Sequence, residues 1–197
     1  MTDYNRLFEK VCENSQNKTL LLHGCCAPCL ASAIERVARN FRVTLFYYNP
    51  NIRPEAEYEK RYGEIKKLLE RLDLSGIDVI KGDYETERFD RFLIPKKDER
   101  EGGSRCDDCI TERLMVTAEI ARKNHFDYFC TTLTSSPHKN AEYINSKGYE
   151  LSADGCEWLP SDFKKRDGVL RSKELCSTYG IYRQNYCGCT PRKDSEE

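Results

Sequence analysis

Seven of the 11 cysteines in this 197-residue chain fall into three short groups: Cys25-Cys26-Ala27-Pro28-Cys29, Cys106-Asp107-Asp108-Cys109 and Cys187-Gly188-Cys189. Thiolates at such spacings hold soft metals or iron–sulfur clusters, or exchange electrons as a dithiol and disulfide. Gly24 to Cys29 reads as a strand-to-helix turn carrying three thiols. A helix N-terminus is partly positive, which lowers thiol pKa and favours a bound anion, an anionic cluster included. Adjacent cysteines direct their side chains differently, so Cys25 and Cys26 need not serve one iron. The two-residue spacing of Cys106 and Cys109 lets both sulfurs converge on one metal, as in a zinc ribbon or a redox dithiol. Added to the first group they suffice for a [4Fe–4S] site, with structural zinc as the main rival. Cys187 and Cys189 can close a small strained disulfide or ligate metal, and the spacing leaves both readings open. Cys12, Cys130, Cys156 and Cys176 stand alone and read as packing residues.

Other polar residues are less specific. His138, in Ser136-Pro137-His138-Lys139-Asn140, falls on a loop where it could touch phosphate, supply a proton, or do neither. His23 precedes the first thiol group and orients its turn, and His125 reads as a helix-end residue. Asp107 and Asp108 read as charges capping a helix rather than as oxygen ligands.

The elements that must position these groups alternate. Apolar runs at Thr19–His23, Val43–Tyr48, Ile77–Ile80 and Asp127–Thr132 predict buried strands. Helical patterns cover Leu30–Arg39, a long charged segment after Pro54, Glu85–Leu93, Asp107–Asn124 and Ser172–Tyr179. A further helix after Asn140 and a short apolar segment around Trp158 complete the pattern. In the second long helix Tyr58, Ile65, Leu68, Leu69 and Leu72 form the apolar stripe. Such alternation predicts one α/β domain over residues 1–197: a Rossmann-like parallel sheet flanked by helices, with the metal site at the carboxyl edge of its strands. Cys25 and Cys26 follow the first strand directly, and the Ser135–Asn140 loop follows the fourth.

Composition narrows the setting. At 39% hydrophobic residues the chain can bury a core without staples. An odd cysteine count in tight groups argues against a secreted disulfide scaffold, and the polar start, Met1-Thr-Asp-Tyr-Asn-Arg6, predicts a helix rather than an apolar leader. No apolar run approaches a membrane span, so a reducing, cytoplasmic compartment is expected. The net charge of −1 hides an asymmetry: residues 163–193 carry +6, leaving −7 on the rest. A basic segment with Tyr179, Tyr182 and Tyr186 interleaved suits a polyanion such as RNA; a solvated basic helix and tail is the plainer reading.

Taken in order, His23-Gly-Cys-Cys-Ala-Pro-Cys29, Tyr47-Tyr-Asn-Pro-Asn-Ile-Arg-Pro54, Gly102-Gly-Ser-Arg-Cys-Asp-Asp-Cys109, Thr131-Thr-Leu-Thr-Ser-Ser-Pro-His-Lys-Asn140, Ser161-Asp-Phe-Lys-Lys165 and Tyr182-Arg-Gln-Asn-Tyr-Cys-Gly-Cys189 form one constellation. The chain thereby closely resembles the cobalamin-independent epoxyqueuosine reductases of tRNA queuosine formation. The resemblance covers nearly everything after about residue 18. It implies a [4Fe–4S] cluster on Cys25, Cys26, Cys106 and Cys109, a redox-active pair at Cys187 and Cys189, and a second, mononuclear iron nearby. Cys29 is left for that second metal or for substrate chemistry. It further implies tRNA carrying epoxyqueuosine as substrate and an external electron donor. Two rivals stand beside it. An iron–sulfur-dependent tRNA thiolation enzyme would need a Gly/Ser-rich pyrophosphate loop after the first strand, where His23-Gly-Cys-Cys-Ala-Pro-Cys29 stands instead. A non-catalytic, zinc-stabilised RNA-binding protein would need only the thiols.

Overall fold

The structure, a computed structural model, describes residues 2–189. Its centre is Thr19–His23 (β1), whose three leucines are fully buried because strands lie on both sides and helices on both faces. Arg42–Tyr47 (β2) and Tyr128–Thr131 (β4) flank it. Asp78–Lys81 (β3) and the two-residue Glu157–Trp158 (β5) form the edges. The order is β3-β2-β1-β4-β5 and every pairing is parallel, with Leu22 level with Leu45 and Cys130. A Rossmann-like parallel sheet is therefore what the alternating pattern produces. The short apolar segment at Trp158, not assigned as a strand from sequence, extends it by one edge.

Among the described residues seven α-helices surround the sheet: Tyr4–Glu13 (α1), Ala27–Val37 (α2), Glu55–Arg71 (α3), Thr86–Leu93 (α4), Ser104–Lys123 (α5), Ala141–Glu150 (α6) and Gly168–Thr178 (α7). Among them α2 packs against α3 and α7, while α5 packs against α4 and α6. Leu20, Leu21, Leu22, Leu30, Ile34, Leu45, Phe46 and Phe129, all fully buried, fill the space between layers. Each such side chain contributes about 1.5–3 kcal/mol by leaving water. At the amino end of the sheet Asp127 ties β4 to β1, accepting from the Thr19 amide and hydroxyl, both at 2.8 Å, and from Lys18 at 2.7 Å.

Three helix starts differ from the sequence expectation, the first being α2, which begins at Ala27 rather than Leu30 with Pro28 in its first turn. Helix α5 begins at Ser104, three residues before Asp107, because Glu99 reaches its open end. The Glu99 carboxylate accepts from the Arg105 amide at 2.8 Å and the Ser104 hydroxyl at 2.9 Å. The charged segment 95–101 thus caps the helix that carries Cys106 and Cys109. Asp107 sits in the first turn, and Asp108 pairs instead with Lys96 at 2.5 Å. Helix α7 starts at Gly168 rather than Ser172. His125 follows α5 with φ +56, the helix-end conformation expected of it.

Candidate active site

Strand order reverses between β1 and β4, and their carboxyl ends open a crevice there. His23, the last residue of β1, is fully buried and pins the edge. Its Nε2 donates to the Tyr48 carbonyl at 3.0 Å, because a carbonyl can only accept. Nδ1 then accepts from the Thr131 hydroxyl at 2.7 Å. Burial, followed by the nearby Arg113 cation, pushes its pKa down to about 4, so the ring is a neutral fastener joining β1, β2 and β4.

Gly24 turns the chain and α2 begins at Ala27 with Pro28 in its first turn. This sharp strand-to-helix turn brings Cys25, Cys26 and Cys29 together, every sulfur within 4.8 Å of the others. The Cys25 and Cys26 sulfurs are 3.9 Å apart. Sulfurs bound to one tetrahedral ion at metal–sulfur distances of about 2.3 Å lie roughly 3.8 Å apart, so the trio is compact enough to bind metal. Hydrogen bonds from the Cys26 and Cys29 thiols, and from the Thr132 hydroxyl at 3.3 Å, hold the Cys25 thiol well below its usual range despite burial. The Cys26 and Cys29 thiols, as the donors, are pushed up. Of the three thiols, Cys25 is therefore the one whose thiolate form is favoured.

Cys106 and Cys109 open α5 and are both buried. The Gly102 amide donates to the Cys106 sulfur at 3.2 Å, and the Arg113 guanidinium donates to the Cys109 sulfur at 3.0 Å. Cys109 shares a small apolar cluster with Phe89, Leu93 and Cys189. The third thiol group thus meets the second directly. Cys187 and Cys189 are free thiols here, and the Cys189 thiol donates to the Cys187 sulfur. That bond, with Lys139 and Arg113 behind it, lowers the Cys187 pKa to about 5, while Cys189 is pushed up. The Lys139 ammonium is 3.8 Å from the Cys187 sulfur and 3.2 Å from Glu101.

No secondary structure carries the third group; tethers to α3 do. Arg61, 3% exposed and paired with Glu57 at 2.8 Å, donates to the carbonyls of Cys187 at 3.0 Å and Tyr186 at 3.4 Å. The Arg53 amide donates to the Gly188 carbonyl at 3.0 Å. Gly188 has φ +103, and a side chain there would press on Ile52 at 3.2 Å, so glycine is required between the two cysteines.

A cavity of about 590 Å³ occupies the crevice, with Cys25, Cys26, Cys29 and Cys187 in its wall. Its cations include Arg61, Arg113, Lys139, Lys173 and Arg183, against one carboxylate, Glu101. His138 lies on its rim, on the exposed Ser136–Lys139 turn. Cys106 and Cys109 stand behind this wall rather than in it. The basic segment is less naked than its charge suggests. Arg171 pairs with Glu35 at 2.7 Å, Arg166 with Glu9 at 3.3 Å and Lys164 with Asp162 at 2.8 Å. Among the described residues this leaves Lys165, Lys173 and Arg183 as its cations without a carboxylate partner. Arg192 and Lys193 lie outside the described residues. Tyr182 and Tyr186 also have partners: Lys60 lies 3.6 Å from the Tyr182 ring centroid and Arg61 5.0 Å from that of Tyr186. Tyr179 packs on the core. The isolated Cys12, Cys130, Cys156 and Cys176 are buried there, as expected of packing residues.

Sequence reasoning did not single out Arg61, Arg113, Lys139 or Glu99. A signal existed for the first two. Arg61 falls on the Tyr58–Ile65–Leu68 stripe of α3, and Arg113 on the Cys106–Cys109–Ile110–Leu114–Thr117 stripe of α5. A charged residue on a buried stripe needs a buried partner.

A parallel α/β sheet with a thiol-lined, cationic cavity at its switch point is an arrangement whose clustered thiols could hold a soft metal and whose cations suit an anion. Comparisons with known proteins make this specific. The sequence profile of the family described as epoxyqueuosine reductase QueH matches residues 20–193. Proteins named epoxyqueuosine reductase QueH are similar along most of the chain. The Thermotoga maritima protein is 40% identical over 179 residues, 87% of this chain and 88% of that protein. The Streptococcus pyogenes protein is 35% identical over 195 residues (95% and 76%), and the Staphylococcus aureus protein 35% over 197 (95% and 82%). The chain belongs to the epoxyqueuosine reductase QueH family. No helix among its described residues is long and apolar enough to cross a membrane.

Proposed function

We propose that this protein is an oxidoreductase that converts epoxyqueuosine in tRNA to queuosine, the last step of queuosine formation. Family membership supports the reaction. The observation that carries the chemistry is the Cys25, Cys26 and Cys29 trio in the crevice wall with Cys187, backed by the contact of Cys109 with Cys189.

The donor set fits an iron–sulfur centre. The sulfurs are buried, soft and grouped, and N–H donors already point at those of Cys106 and Cys109. Cys25, Cys26, Cys106 and Cys109 would hold a [4Fe–4S] cluster, and the close approach of Cys29 to Cys25 and Cys26 suits a mononuclear iron beside it. Such a centre supplies single electrons and a Lewis acid for the epoxide oxygen. The chain's own groups do the rest. Removing the epoxide oxygen as water, leaving an alkene, consumes two electrons and two protons. Oxidation of the Cys187 thiolate and the Cys189 thiol to a disulfide releases two electrons and one proton, and the Lys139 ammonium gives the second proton, so one dithiol balances one turnover. An external donor then reduces the disulfide. Lys139, between Glu101 and the Cys187 sulfur, holds a proton at the cavity wall and favours the Cys187 thiolate. Lys173 and Arg183 bind phosphates of the tRNA, and the crevice takes the modified base out of the loop. The expected compartment is the cytoplasm, where its tRNA substrate and reductants are found.

A paired substitution tests the division of labour. Cys106→Ala should lose iron, labile sulfide and conversion of epoxyqueuosine-containing tRNA together. Cys189→Ser should abolish multiple turnover while keeping most of the visible absorbance of the cluster. Loss of the cluster in Cys189→Ser would make Cys189 a ligand and overturn its redox role.

A further inference from the structure

Arg113 is a cation without a carboxylate. It is 2% exposed, and its guanidinium donates to the Cys109 carbonyl at 3.1 Å, the Cys109 sulfur at 3.0 Å and the Asn49 side-chain oxygen at 3.3 Å. None of these neutral acceptors cancels its charge. The neighbouring acid, Glu112, is turned to Arg88 at 2.6 Å. The one histidine close by, His23, is held between the Tyr48 carbonyl and the Thr131 hydroxyl. The groups nearest its charge are sulfurs: Cys109 from its own helix at 3.0 Å, with Cys187 from the C-terminal segment and Cys25 from the β1–α2 turn. These come from all three thiol groups, and Arg113 stands where they meet.

Burying a lone cation is costly, by several kcal/mol even after relaxation, unless an anion is buried with it. The one buried acid of α5, Glu112, is already paired with Arg88. We infer that Arg113 is the fixed counter-ion of an anionic thiolate–metal centre, and that its charge sets how readily that centre accepts an electron. A buried positive charge favours the more negative, reduced form, because Coulomb interactions are weakly screened there. Arg113 is thus a positioning and tuning residue: it touches a ligand sulfur and acts on the centre through it. This inference rests on the anionic metal centre proposed above and not on the identity of the substrate.

The test uses wild-type protein, Arg113→Lys and Arg113→Met, each purified anaerobically and reconstituted with ferrous iron and sulfide. The midpoint potential is read by dithionite titration with spectroscopic detection, one electron passing from dithionite to the centre. Arg113→Met should be at least tenfold harder to reduce, about 60 mV lower for one electron. Arg113→Lys, which keeps the charge, should recover most of that shift. An unchanged potential in Arg113→Met overturns the inference. The melting temperatures of the metal-free and loaded forms give a second reading. Loading should raise the melting temperature of Arg113→Met by less than that of wild type, since the counter-ion is gone. An equal loss in both forms, or failure of the metal-free variant to fold, would make Arg113 an ordinary structural residue and also overturn the inference. Wild-type protein that takes up no iron would instead overturn the proposed cofactor.

Discussion

The first and third thiol groups sit in one crevice yet are held in opposite ways. The Cys25–Cys29 turn is fixed by the sheet itself. Buried β1 delivers it, His23 fastens the strand ends, and α2 starts within it. Segment 187–189 has no helix or strand of its own and depends on Arg61, the Arg53 amide and a left-handed glycine. A metal ligand needs a rigid seat, whereas a dithiol that opens and closes needs a seat it can move on. The contrast matches the proposed division, with binding at the first group and redox exchange at the third.

The comparison breaks most decisively at Arg61. Arg61→Ala leaves Glu57 buried without its partner and removes both carbonyl tethers, which should cost about 3–5 kcal/mol of stability. The variant that survives should keep its iron while multiple turnover falls by at least tenfold. Simultaneous loss of iron would show that segment 187–189 holds metal as well, and would erase the distinction. A smaller effect is expected at the mouth of the cavity. Arg183→Ala should weaken tRNA binding and reduce the salt dependence of log affinity by about one charge's worth. An unchanged slope would remove Arg183 from the phosphate-binding surface.

Much of this was legible in the sequence, and the limits have physical causes. Buried parallel strands show as apolar runs, so β1 to β4 stand out. The glycine and proline around Cys25–Cys29 mark a strand-to-helix turn. The edge strand β5, only two residues long, has no periodicity to read. Contacts between distant segments leave no local trace: Glu99 capping α5, Arg61 holding residue 187, and the acids of α1 and α2 that neutralise Arg166 and Arg171. The basic segment therefore read as a larger free patch than the fold leaves. The two buried arginines were detectable as charges on apolar stripes, though not their partners.

The smallest effect belongs to the far end of the sheet and sharpens the comparison by contrast. Donation by Lys18, then by the Thr19 amide, holds the Asp127 carboxyl down at about 2, below its unfolded value of 3.8. A carboxylate with a depressed folded pKa adds stability above the unfolded value. That contribution is lost as pH falls from about 4 through 2. The group is a third exposed, so solvent screening keeps it below about 1 kcal/mol. Asp127→Asn should flatten acid unfolding across that window and leave iron content and turnover unchanged. A change in iron content would mean that the amino end of the sheet also shapes the site.

The central claim is that the convergent thiols hold an iron–sulfur centre that works on tRNA. Quantifying iron, zinc and labile sulfide in anaerobically purified protein tests it most directly. The account predicts a brown protein with at least four iron and four sulfide per chain. A colourless protein with stoichiometric zinc and no labile sulfide would contradict it.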